Sequence, residues 1–172
     1  MEEEQQLHSQ LHNTHVKLLA FDLLSLSLSQ TSSSSSSSFS RRGISLSSAE
    51  ALGIITSRDH KPYKFLRFTL DDGTGCVNCV LWLNHLSSPH VTRHHTPLDA
   101  SLIAASAARF ADLVHLGKLA RVRGKISYFR GAVQITVSDV VIERDPNAEI
   151  LHWLECINLA RKCYNALPAT PS

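Results

Sequence analysis

Lys64 to Leu83, KFLRFTLDDGTGCVNCVLWL, constrains the fold more than any other part of the chain. Leu66, Phe68 and Leu70 alternate with Phe65, Arg67 and Thr69. Val77, Cys79 and Leu81 alternate with Asn78, Val80 and Trp82. A period of two places alternate side chains on opposite faces of a strand. Between the arms, Asp72-Gly73-Thr74-Gly75 carries the residue types of a tight turn. A four-residue loop there predicts the pairs Leu70–Val77, Phe68–Cys79 and Leu66–Leu81 on one buried face. The other face then carries Phe65 beside Trp82, Arg67 beside Val80 and Thr69 beside Asn78. A slip of one residue would expose a whole apolar set, so the register is strongly specified. Two aromatics and a guanidinium on an outer face suit nucleobase stacking. The alternative is that another part of the chain covers them.

The rest of the chain supplies one ordinary domain and some extras. It has 172 residues, 43% of them apolar. The formal net charge is only +2, so any basic surface must be local. The acidic start, Met1-Glu2-Glu3-Glu4, is unlike a secretory signal. No apolar run reaches membrane-spanning length, and no membrane partner is expected. Four cysteines suit a reducing compartment.

Residues 1–14 read as a disordered start, and 15–28 as an apolar segment packing on the barrel. Periodicity leaves open whether that segment is a strand and turn or an amphipathic helix. Residues 29–42 are Ser-rich and read as a flexible loop. The folded part spans 43–144. Ser48 to Arg58 reads as a strand in which Gly53 marks a bulge or bend, and Asp59 to Tyr63 as a turn. Asn84 to Pro97 is a loop. Leu98 to Leu116 has helical spacing through Leu98, Leu102, Ile103, Phe110, Leu113 and Val114, and Gly117 stops it. Leu119 to Phe129 and Ala132 to Ile142 are two more strands. A C-terminal helix covers 145–167, with Asp145 as its cap and Pro146 in its first position, and 168–172 is a tail. The class is all-β with helices. Three strands, a helix and two strands give the five-stranded Greek-key OB-fold barrel, its helix between strands three and four and a further helix after strand five.

Nothing points to catalysis. Cys76 and Cys79 have half a zinc spacing, but residues three apart on a strand face opposite ways. His85, His90, His94 and His95 share a loop without a scaffold, so no metal or cofactor is expected. Asp71 and Asp72 suit the strand end and the turn. What remains is a surface. Arg121, Arg123 and Lys125 form an outward row on strand four. Phe65, Arg67 and Trp82 lie outward on strands two and three, and Tyr128, Phe129 and Arg130 sit at the tip between strands four and five. In an OB-fold that region holds oligonucleotides, with cations on phosphates and aromatics under bases. The alternative is an ordinary solvated barrel face.

RFTLDDGTGCVNCVLWLN, ARVRGKISYFRG and ERDPNAEILHWLEC, in that order, resemble the small OB-fold subunits of the CST telomere-capping complex. These are the suppressor-of-cdc-thirteen type, in their plant form, related to the middle subunit of replication protein A. The resemblance spans about Val16 to Tyr164, apart from the serine tract. It implies a non-enzymatic nuclear protein of a heterotrimeric complex at telomeres. Such a protein binds telomeric single-stranded DNA and pairs with a second small OB-fold subunit and a large multi-OB subunit. It also supports C-strand fill-in by DNA polymerase α–primase. Animal and fungal members carry a winged-helix region that this sequence lacks, so contacts made by that region are not expected. Trp82, Phe129 and Arg130 match positions of the family's DNA face. Ile150, Leu154, Ile157 and Tyr164 match its partner helix, and their spacing forms one apolar stripe. Two other readings stay open: an adaptor whose barrel binds protein only, and a middle subunit of a replication-protein-A-like complex.

Overall fold

The computed structural model describes residues 14–29, 38–41, 44–85 and 93–164. The expected disordered start, most of the serine run, His90 and the C-terminal tail lie outside the described residues. The N-terminal segment forms β1 (His15–Lys17), the short helix α1 (Ala20–Leu24) and β2 (Ser27–Ser29). Next come β3 (Ser38–Arg41), β4 (Ile44–Leu46), β5 (Ser48–Lys61), β6 (Phe65–Asp71) and β7 (Cys76–Trp82). Helix α2 (Pro97–Leu113) precedes β8 (Leu119–Phe129) and β9 (Ala132–Ile142). Helix α3 (Ala148–Leu159) follows and widens into a π-type turn, Ala160–Tyr164.

Strands β5 to β9 close a five-stranded barrel. The sheet order is β1-β5-β6-β7-β9-β8, and β8 pairs back onto β5. Strand β5 is long enough to serve two partners: its first half pairs with β8 and its second half with β6. The predicted hairpin register is the one found, from Phe65 opposite Trp82 to Leu70 opposite Val77. Leu66, Phe68, Leu70, Val77, Cys79 and Leu81 are all buried, and Val122, Ile126, Val133 and Ile135 meet them from β8 and β9. Burying such side chains is worth about 1.5–3 kcal/mol each.

Two glycines permit the curvature. A Cβ on Gly124 would fall 2.1 Å from the Thr136 carbonyl oxygen, where the β8–β9 register shifts by one residue. A Cβ on Gly53 would fall 2.7 Å from the Asp71 carbonyl oxygen. The expected bulge is not at Gly53 itself: the β5 register slips between Ile55 and Ser57. Gly53 instead lets β5 pass close to the end of β6.

Several expectations need correction. Strand β5 does not end at Arg58. It runs to Lys61 because Asp59 and Lys61 pair across to Arg67 and Phe65, which leaves the turn at Pro62–Lys64. The Ser-rich stretch is not a loop throughout. Ser38–Arg41 is a strand between β2 and β4, with Phe39 buried and Arg41 ion-paired to Asp22. Helix α2 turns an unexpected face inward. Ala100, Ala107 and Ala111 are buried, while Leu98, Leu102 and Leu113 are exposed. Small residues bring this helix close to the barrel, with Ile103 and Phe110 partly covered at the sides. It stops at Leu113 rather than Leu116. Asp145 is not the direct cap of α3: it accepts from the Asn147 backbone N–H at 2.8 Å in a turn just before the helix.

Asp72 ties the hairpin to the N-terminal segment. Its carboxylate accepts from the Thr74 N–H and hydroxyl at 2.8 and 2.7 Å, and from the Ala20 N–H at 2.7 Å. That one buried acid therefore closes the turn and holds the start of α1.

Candidate nucleic-acid interface

The registers of β5, β6 and β7 build a three-by-three outer face. Its rows are Ser57–Thr69–Asn78, then Asp59–Arg67–Val80, then Lys61–Phe65–Trp82. Directly paired residues of antiparallel strands share a face, so nine positions scattered over 26 residues become one patch, in which Val80, expected outward, is buried. The first row is neutral and hydrogen-bonded. The Ser57 hydroxyl donates to Thr69 at 2.7 Å, and the Thr69 hydroxyl lies 3.5 Å from the Asn78 amide oxygen.

The third row is aromatic. Phe65 and Trp82 meet edge to face, with ring centres 6.1 Å apart and planes at 81°. Trp82 remains 41% exposed. Cations interleave with the rings. Lys61 lies 5.4 Å from the Phe65 ring centre, and Arg67 lies 4.3 Å from Phe65 and 5.4 Å from Phe129. Arg130 lies 5.2 Å from the Phe129 ring centre. Each such contact is worth about 0.5–1 kcal/mol at an exposed site.

The β8–β9 tip leans over this face. Its two-residue loop, Arg130-Gly131, has positive φ at both positions, 50° and 85°. That geometry matches a tight hairpin and costs Arg130 an uncommon backbone conformation. Between tip and sheet lies a cleft of about 420 Å³, with Arg67, Thr69, Asn78, Phe129, Arg130 and Gln134 among its walls. Its lining combines an aromatic ring, guanidinium planes and neutral hydrogen-bonding groups with one carboxylate, Asp59, and rings and cations of that kind suit a chain of stacked bases joined by phosphates.

The structure thus gathers Phe65, Arg67, Trp82, Phe129 and Arg130. Tyr128 adjoins them in sequence but has the opposite strand parity, pairs with Val133 and is exposed. Lys125 is exposed on the outer face of β8, opposite Thr136.

Arg121 and Arg123 face outward as expected, but they are not a free basic row. Both grip Glu50, an acid only 2% exposed, at 2.7 and 2.6 Å. Arg121 also holds Glu143 at 2.7 Å, and Arg123 approaches Asp139 at 3.9 Å. Burial works against ionising Glu50. Hydrogen bonds from Arg123 and Arg121, with their charges, outweigh it and hold the carboxyl below its ordinary range. Burial likewise opposes the charge on Arg121, and hydrogen bonds to Glu143 and Glu50 more than restore it. These two arginines join the barrel to itself.

Sequence reading did not name Ser57 as a site residue, and it missed Asp59 and Lys61 because it placed the last three residues of β5, Asp59 to Lys61, in a turn. The signal was present: Ser57, Asp59 and Lys61 alternate as a strand does.

Helix α3 packs on β1 and β5 with Ala148, His152, Cys156 and Ala160 buried. Ile150, Leu154 and Ile157 are exposed on another face, and so is Leu151. Trp153 lies against the hairpin turn, its ring 3.7 Å from where a Cβ on Gly73 would be. Tyr164 ends the last turn, and its side chain lies outside the described residues. Cys76 is exposed and Cys79 buried, as opposite strand faces require. No group of three or more His, Cys, Asp or Glu is placed for a metal among the described residues.

Barrel, cleft and sequence together define the class. Residues 51–143 match the family of OB-fold nucleic acid binding domains. The narrower relation is equally plain. The chain is 49% identical over 154 residues to CST complex subunit STN1 of Arabidopsis thaliana, covering 90% of this chain and 94% of that protein. It belongs to the STN1 family. Among solved structures, the S. pombe Stn1–Ten1 complex shares the fold with a TM-score of 0.67 at 18% identity, covering 89% of this chain and 96% of that one. A replication protein A heterotrimer bound to single-stranded DNA gives 0.65 at 15% identity, covering 88% and 98%.

Proposed function

We propose that this chain is the single-stranded-DNA-binding subunit of a CST-type complex. It acts by holding DNA and partners rather than by catalysis. Its place is the nucleus, at chromosome ends, where the complex protects the telomere and supports C-strand fill-in by polymerase α–primase. The observation that carries this reading is the cleft in which Arg67 is flanked by Phe65 and Phe129. Rings and guanidinium planes at that spacing serve single strands, whose bases are unstacked from a complement, better than duplexes. Trp82 extends the stacking surface, and Arg130 and Lys61 supply phosphate contacts at its two ends. Similarity to a CST complex subunit supports an assembly with a second small OB-fold subunit and a large multi-OB subunit. The exposed Ile150, Leu154 and Ile157 of α3 serve the smaller partner.

The test is a titration of the full chain, alone and with its two partner subunits, against single and double strands of one sequence. The expected result is preference for the single strand. Log K should fall linearly with log salt, with a slope of about −0.7 per phosphate held. Binding of neither the single strand nor the duplex would favour an adaptor whose barrel meets only protein.

A further inference from the structure

Asp59 lines the cleft beside Arg67, Thr69 and Phe129. A carboxylate there repels phosphate, so a cleft built only for the DNA backbone would not carry one. The register sets Asp59 directly opposite Arg67, the natural place for a neutralising ion pair. No salt bridge joins the two among the described residues. The Arg67 guanidinium is drawn over the Phe65 ring, at 4.3 Å, and toward Phe129 instead. Arg58 lines the same cleft, but its Nε donates to the Val114 carbonyl oxygen at 2.8 Å and no salt bridge joins it to Asp59 among the described residues, while the next row inward, Ser57, Thr69 and Asn78, is neutral and bonded within itself. Asp59 therefore presents two acceptor oxygens to whatever fills the cleft.

An ionised carboxylate only accepts hydrogen bonds. Phosphates and sugar ring oxygens have no donor for it, but base edges do. Guanine offers two adjacent donors, N1–H and the N2 amino group, which match two carboxylate oxygens. Cytosine and adenine offer one amino group beside an acceptor. Thymine offers a single N–H between two carbonyls. A base stacked on the Phe129 ring or the Arg67 plane turns its edge toward the cleft walls, one of which carries Asp59. We infer that Asp59 is a specificity residue that selects guanine over other bases in this cleft. This deepens the proposed single-strand binding and rests on it.

The test compares the full chain with Asp59→Asn on three 12-nucleotide strands: alternating dG and dT, the same strand with inosine for every guanosine, and dT alone. Inosine lacks only the N2 amino group. For the wild-type chain, the guanosine strand should bind roughly tenfold tighter than the inosine strand, the scale of one hydrogen bond to a charged acceptor. In Asp59→Asn that ratio should fall toward one, while binding of dT alone tightens because a repelling charge is gone. If Asp59→Asn strengthens all three strands by one factor, Asp59 is a bystander charge and the inference is overturned alone. If the wild-type chain binds none of the strands at low salt, single-strand binding itself fails, and the inference falls with it.

Discussion

The guanidinium of Arg67, in the middle of the β6–β7 hairpin, lies 5.4 Å from the centre of the Phe129 ring at the tip of the β8–β9 hairpin. The two residues come from β6 and β8, the strands that flank β5 on either side in the closed barrel, and their contact makes one wall of the cleft face the other. Arg67 does this as a plane rather than as a point charge. Arg67→Lys should separate the two roles. The positive charge stays, so the slope of log K against log salt should change little. The stacked plane is lost, so affinity for single-stranded DNA should fall, by about 1 kcal/mol. A titration at four salt concentrations reads both quantities.

Arg121 gives the opposite expectation. It holds Glu50 and Glu143 where its own side chain is only 19% exposed. Removing one partner of a buried charge group leaves the other uncompensated, at about 3–5 kcal/mol for a full pair. Arg123 still reaches Glu50, so Arg121→Ala should cost somewhat less, about 2–3 kcal/mol in urea unfolding. The DNA-binding salt slope should not move. A slope smaller by about 0.7 would instead place a phosphate on Arg121.

The contrast between these two arginines shows what could be read from the sequence. Alternation put both on outer faces, and both are there. Turn chemistry and parity also set the β6–β7 register and both ends of β8 and β9, because one buried face admits one register. The meaning of outward was not legible. For Arg67 it is an open cleft; for Arg121 it is a contact with Glu50, far away in the chain. Glu50 was itself the clue, an acid inside an apolar strand that has to find cations. Helix α2 misled for a related reason. Helical spacing marks leucines as inward, but the barrel admits a close helix only through Ala107 and Ala111. Packing distance, unlike periodicity, is a property of two elements at once.

His152 and Glu50 set an acid dependence in two stages. Burial holds the His152 pKa below its ordinary 6.5; nearby Glu50 opposes this and Arg121 adds to it. Folding thus favours neutral His152. Its contribution is complete above pH 6.5 and is lost as pH falls through the lower folded value. Glu50 is also depressed from its ordinary 4.5, so its contribution is complete above that pH and is lost further down. Unfolding free energy should first fall below pH 6.5 and fall again below pH 4.5. His152→Gln should flatten the first decline, and Glu50→Gln the second. An unchanged profile in both variants would contradict the assignment.

Leu154 and Ile157 lie on the exposed face of α3, away from the buried Ala148, His152 and Cys156. Replacing both with Asp should leave the melting temperature of the isolated chain within a few degrees. Pairing with the second small OB-fold subunit should weaken at least about thirtyfold, since a buried anchor carries about 2 kcal/mol or more. Co-purification and calorimetric titration measure the second effect, and thermal melting the first. Intact pairing in the double variant would move the partner surface elsewhere.

The central claim is that the cleft face with its aromatics is where single-stranded DNA lies. The most direct measurement is an equilibrium titration of labelled single-stranded DNA with the full chain and with the Trp82→Ala, Phe129→Ala double variant, both shown by melting to be folded. Each ring under a base is worth about 1–3 kcal/mol, so the double variant should bind roughly a hundredfold more weakly. Binding within twofold of the wild type, by a variant that melts normally, would contradict the account.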